Sequence, residues 1–131
     1  MDFSDFNSFL VPKIKEIVYV IGVSTESDFH PFYVGESSRH VGRFGDYISP
    51  NFSSATDFKV GKAIEFLTNN GFKVEFKYRS AINRRDDENE LINLINPILN
   101  TIQGYDYKNS DDKTELIKIE SIMNDWINKI S

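Results

Sequence analysis

Ile17-Val18-Tyr19-Val20-Ile21, a polar stretch from Ser24 to Pro31, then Phe32-Tyr33-Val34-Gly35: these residues decide the fold. Five consecutive β-branched or aromatic residues predict a strand. Ser24 to Pro31 is polar and ends in proline, which predicts a turn. A second strand over 32–35 makes 17–35 a hairpin. Working outward, Phe3, Phe6, Phe9 and Leu10 stand at helical spacing before Pro12, which predicts an N-terminal helix within residues 1–12. On the other side, Arg39 to Ile48 predicts a short helix, weakened by Gly42 and Gly45.

Beyond the loop at 50–54, Val60, Ala63, Ile64 and Leu67 recur at helical period, and Asn69-Asn70-Gly71 is a stop signal. Phe72 to Tyr78 alternates apolar and charged residues, the pattern of a strand with one wet face. A helix follows over 84–96, opened by Asp86-Asp87-Glu88 near its positive end and closed at Pro97. Asp112-x-x-Glu115 resembles a capping box and begins a last helix over about 111–130. The expectation is an α+β domain. A small antiparallel three-stranded sheet is flanked by helices, with extra helices at both ends and a core over about 17–100.

Composition narrows the functions. The chain has 131 residues, enough for one domain and too few for two with proper cores. It has no cysteine, which excludes disulfides, thiolate zinc sites and thiol catalysis. Its two histidines cannot form a His-rich metal cluster. No apolar run approaches the ~20 residues of a membrane span. The acidic start, Met1-Asp2-Phe3-Ser4-Asp5, is unlike a secretory signal, so the expected compartment is cytoplasmic with no membrane partner.

The net charge is −5, which argues against coating nucleic acid by bulk attraction. The charge is uneven, however. Residues 59–85 carry seven bases (Lys59, Lys62, Lys73, Lys77, Arg79, Arg84, Arg85) against two acids, and both flanking segments are acidic. A phosphate-facing band would have to lie there. Lys59, Lys62, Arg84 and Arg85, together with Ser37, are the candidate nucleic-acid-binding residues.

Tyr19 and Tyr33 fall on the paired strands. Arg43 follows Tyr33 by ten residues, and Tyr47 follows Arg43 by four, one face of a short helix. Glu88 opens a later helix and lies near the middle of its apolar stripe of Leu91, Ile92, Leu94 and Ile95. A carboxylate aligned with a buried face needs a metal, a charge partner or a wet helix end. His30 and His40 read as surface residues.

This constellation resembles the GIY-YIG nuclease superfamily. The matching residues are Tyr19 after Ile17-Val18, then Tyr33-Val34-Gly35, Arg43, Tyr47, Glu88, Pro97 and Asn100. The first motif lacks its glycine, and Glu36 follows Gly35 where repair-type members often carry lysine. The resemblance implies hydrolysis of DNA phosphodiesters, branched or modified DNA included and RNA left open, with Mg²⁺ or Mn²⁺ at Glu88. It implies catalytic roles for Tyr19, Tyr33, Arg43, Tyr47 and Glu88, and structural roles at the site for Gly35 and Asn100. Arg43 would hold phosphate oxygens, and Tyr19 or Tyr33 would activate water. The alternatives are an inactive nucleic-acid-binding module on the same fold and an interaction protein. The last helix carries Leu116, Ile119, Met123, Trp126 and Ile130 near one stripe, which reads as core packing or as a homodimer seam.

Overall fold

A computed structural model of the chain describes residues 3, 6–8, 16–37, 55–101 and 112–130. It is an α+β structure. Strands β1 (Asn7–Ser8), β2 (Ile17–Ser24), β3 (Phe29–Ser37) and β4 (Lys73–Ser80) form one antiparallel sheet in the order β1-β4-β2-β3. Three strands are long and β1 adds two residues at one edge. The helices are α1 (Ala55–Asn69), α2 (Arg84–Ile95) and α3 (Asp112–Ile130), with a single 3₁₀ turn at Ile98–Asn100.

β2 is apolar on both faces because helices or loops cover both. Ile17, Tyr19, Ile21 and Val23 face one core with Val60, Ala63, Ile64 and Leu67 of α1 and Ile119, Met123 and Ile127 of α3. Val18 and Val20 face a smaller core with Val34, Phe6 and Leu91 of α2. A continuous hydrophobic run, rather than an alternating one, is what a strand buried on both sides requires.

Three expectations need correction. Residues 3–10 do not form a helix through their described part: Asn7 and Ser8 pair with Tyr78 and Lys77 as a strand. Phe3 and Phe6 sit one turn apart, joined by a backbone hydrogen bond from Phe6 N–H to Phe3 O. They stack edge-on at 5.4 Å, and Phe3 does the same with Phe29 at 5.1 Å. One turn of aromatic spacing fits a capped bend as well as a helix. Second, the hairpin strands are longer than expected, and the turn shrinks to Thr25–Asp28, closed by Thr25 N–H to Asp28 O at 2.8 Å. Pro31 is tolerated inside β3 because that strand is outermost. Third, the α2 stripe is narrower than read: Leu91 is buried, Ile92 and Ile95 partly so, and Leu94 is 65% exposed.

The register of β2 against β3 slips between Ile21 and Gly22, since Ile21 pairs with Tyr33 and Gly22 with Pro31. Phe32 is the extra residue of this bulge. It therefore joins Tyr33 in the larger core, edge-on to Trp126 at 5.7 Å.

Candidate functional site at the free edge of the hairpin

Tyr19 pairs with Gly35 on one side and Tyr78 on the other, and Tyr33 pairs with Ile21. All three phenols belong to the larger core. Tyr78 fills the space toward β4, so the Tyr19 ring lies over Gly35. A Cβ built at Gly35 would come within 2.4 Å of Tyr19 Cζ and Oη. Only glycine admits that approach. The rings of Tyr19 and Tyr33 are tilted with centroids 6.4 Å apart.

β3 is the outer strand, so the outward-facing backbone groups of Val34 have no strand partner. Asn100 supplies one. Its side-chain oxygen accepts from Val34 N–H at 2.8 Å, and its amide donates to Val34 C=O at 2.9 Å. One carboxamide thus stands in for a strand residue. It reaches the edge because α2 ends at Asn96 in the left-handed conformation (φ 51°). Pro97 then starts the 3₁₀ turn and Asn100 closes it. The Tyr33-Val34-Gly35 tripeptide is held on one side by Tyr19 and at its edge by Asn100.

Lys59 meets the same turn from α1. It is only 9% exposed, and its Nζ donates to Leu99 C=O at 2.7 Å. Burial holds its pKa below the ordinary lysine value. It is therefore not a surface cation for phosphate. The sequence carried a signal of this: Lys59 precedes Ala63 by four residues and Leu67 by eight, both fully buried. Tyr78 was also readable, on the dry side of the alternating strand 72–78.

The second cluster lies across the sheet. α2 packs on β2 and β3 through Leu91, against Val18, Val20 and Val34. It carries Glu88, which is half-buried. Asn83 caps its start by accepting from Asp86 N–H at 3.2 Å, and Asp87 accepts from Ile82 N–H at 3.0 Å. Arg84 bridges two carboxylates: Nε meets Glu16, and Nη1 donates to Glu36 at 2.6 Å. These residues with Ile82, Asn83 and Arg85 line an open cavity of about 380 Å³.

The remaining candidates divide. Ser37 is buried at the end of β3, opposite Ile17. Lys62 pairs with Glu65 at 3.5 Å, and Arg85 is exposed. Arg43 and Tyr47, on the short helix expected over 39–48, lie outside the described residues, as does His40. The structure brings together Tyr19, Tyr33, Gly35 and Asn100. It puts the sheet between their rings and the helix bearing Glu88. Among the described residues no group of three His, Cys, Asp or Glu side chains could hold a metal ion, and no helix is long and apolar enough to cross a membrane. No protein-family model, curated protein or solved structure matches this chain.

Proposed function

We propose that the chain is a metal-dependent endonuclease of GIY-YIG type that hydrolyses DNA phosphodiester bonds. The observation that carries this reading is the assembly at the hairpin edge. Tyr19 and Asn100, distant in sequence from each other and from Tyr33-Val34-Gly35, meet that tripeptide through a glycine-dependent ring contact and two hydrogen bonds. The resemblance singles out Tyr19, Tyr33, Gly35 and Asn100.

Glu88 is the residue that would hold Mg²⁺ or Mn²⁺. One carboxylate with water at the other positions is a donor set that hard cations accept. When bound, the ion stabilises charge on the scissile phosphate and its leaving 3′ oxygen. Arg43 holds non-bridging phosphate oxygens through its planar fork. A phenol of the Tyr19–Tyr33 pair takes the proton of the attacking water. Because a free phenol ionises near pH ~10, that step needs a cation beside the ring or a water relay.

A second reading, a nucleic-acid-binding module that does not cut, is favoured by one observation: α2 and the tyrosine rings lie on opposite faces of the sheet. In a working enzyme the carboxylate and the phenol would have to meet around the free edge of β3.

Supercoiled plasmid with Mg²⁺ or Mn²⁺ separates the two readings. The endonuclease nicks it, and Glu88→Ala or Arg43→Ala lowers the rate by about 10²-fold or more. Binding without cutting under either metal, steeply weakened by salt, favours the module. Equal cutting by wild type and both variants removes the assigned site.

A further inference from the structure

A second hollow opens at the free edge of β3 and has no part in the reaction above. It is an open cleft of about 320 Å³. Pro31 of β3, Ile95 at the end of α2, Ile98 of the 3₁₀ turn and Ile130 of α3 form its apolar walls, with the Trp126 indole among them. Phe32 meets that indole edge-on, so it covers at most one of the two ring faces. His30, Asn96 and Thr101 supply the polar groups. The Thr101 hydroxyl donates to the Ile98 carbonyl at 2.8 Å. Among the described residues the His30 imidazole and the Asn96 carboxamide have no hydrogen-bond partner. Asn96 closes α2 with its backbone N–H, in the left-handed conformation, which leaves the carboxamide unused. No Asp, Glu, Lys or Arg is among the lining residues.

These features select a ligand. The cleft offers no countercharge to a phosphate, a carboxylate or a metal ion, each of which would give up water for no partner. Its walls suit a flat ring, and an indole face is a surface on which a base stacks. A carboxamide and an imidazole each hold a donor and an acceptor, the groups that the edge of a nucleobase presents in return. The volume lies near the lower end for ligand cavities, about 300–1,000 Å³, which fits one ring system and not a peptide helix. The position links the cleft to the hairpin edge. Ile98 and Thr101 flank the residue that holds Val34, Asn100, and Pro31 precedes Val34 by three residues, roughly 10 Å of strand. We propose that the cleft binds one unpaired nucleobase of a strand lying along the free edge of β3: the ring stacks on Trp126, and Asn96 and His30 bond its edge. The inference rests on the endonuclease reading for the fate of that strand, and it names the substrate class. A base stacked and paired within a duplex cannot enter, so the substrate carries an unpaired nucleotide near the cut.

Trp126 is the single tryptophan of the chain, so its emission reads the cleft directly. The full chain is titrated at low salt, without metal, with a single-stranded DNA tetramer of adenine nucleotides and with the same sugar-phosphate tetramer lacking its bases. The base-bearing tetramer should quench Trp126 and shift the NMR signals of the Asn96 side-chain amide and the His30 ring. The abasic tetramer should do neither. Quenching by both means that the backbone alone is bound and overturns the proposal, as does quenching by neither; this comparison needs no variant to fold. Asn96→Gly removes the carboxamide and is at ease at φ 51°. It should weaken the adenine tetramer about tenfold, and unchanged affinity in the folded variant overturns the proposal too. With Mg²⁺ or Mn²⁺ added, a duplex carrying one unpaired adenine is compared with the perfect duplex. Base-dependent quenching in a protein that cuts neither upholds the cleft and removes the endonuclease. Equal cutting of both keeps the endonuclease and overturns the proposal.

Discussion

The two faces of the sheet are held by different physics. The face toward α1 and α3 is a broad apolar core in which the polar side chains are tied to backbone groups, Lys59 to a carbonyl and Asn100 to the β3 edge. The face toward α2 has a small core and is tied by charged side chains in direct contact. Arg84 joins Glu16 and Glu36, while Lys77 lies 5.1 Å over the Phe29 ring and Arg79 5.1 Å over Phe6. Ion pairs at this exposure contribute little compared with a packed core. The tyrosine face should therefore be intolerant of change and insensitive to salt, and the α2 face the opposite.

The largest effect is expected at Gly35. In Gly35→Ala the new methyl would overlap the ring of Tyr19, which is 1% exposed and flanked by Tyr78, so the ring has nowhere to turn. Overpacking of this kind costs about 3 kcal/mol. Lower unfolded-state entropy returns only about 0.4–1 kcal/mol of it. Urea unfolding of Gly35→Ala beside Gly35→Ala/Tyr19→Leu checks the cause. The second change should recover much of the loss, and failure to recover would place the strain elsewhere.

Asn100→Ala comes next. It leaves the Val34 N–H and C=O without partners at a half-buried edge, at a cost of about 2 kcal/mol. Amide exchange at Val34 should accelerate while exchange at Val20, its partner on the other side, stays slow. Equal acceleration at both would mean that the carboxamide stabilises the domain globally rather than sealing one edge.

These effects also mark how much of the molecule the sequence exposed. β2 was legible because burial on both faces leaves no polar residue in the run, and α1 because Val60, Ala63, Ile64 and Leu67 keep one stripe. The bulge at Phe32 was not legible. It depends on how Gly22 sits across the ladder, where an added Cβ would meet the His30 carbonyl at 2.5 Å, and register between strands leaves no local trace. The strand at Asn7–Ser8 was hidden because its reason to exist is the outer edge of β4, seventy positions away. At the site, spacing named Tyr19, Tyr33, Gly35 and Asn100. It could not tell a solvated Lys59 from a buried one without weighing the helix stripe, nor give Arg84 its partners, because Glu16 and Glu36 reach it only through the folded sheet.

The smallest expected effect is at Arg84, and it tests the comparison most directly. An arginine in the first turn of a helix opposes the helix dipole, so its position is favourable only through the two carboxylates it meets. Arg84→Met removes both pairs and also the mismatch with the dipole. At low salt the loss should stay under about 1 kcal/mol. Raising the salt should close the gap, because screening weakens the wild-type pairs while leaving the methionine variant unmoved. Glu36→Gln removes one of the two pairs and should show a smaller, equally salt-dependent loss, and the double variant should show that the two changes are not additive. If Arg84→Met instead costs as much as Gly35→Ala and ignores salt, then the guanidinium stem is part of the packed core. In that case the contrast between an apolar face and an ionic one fails.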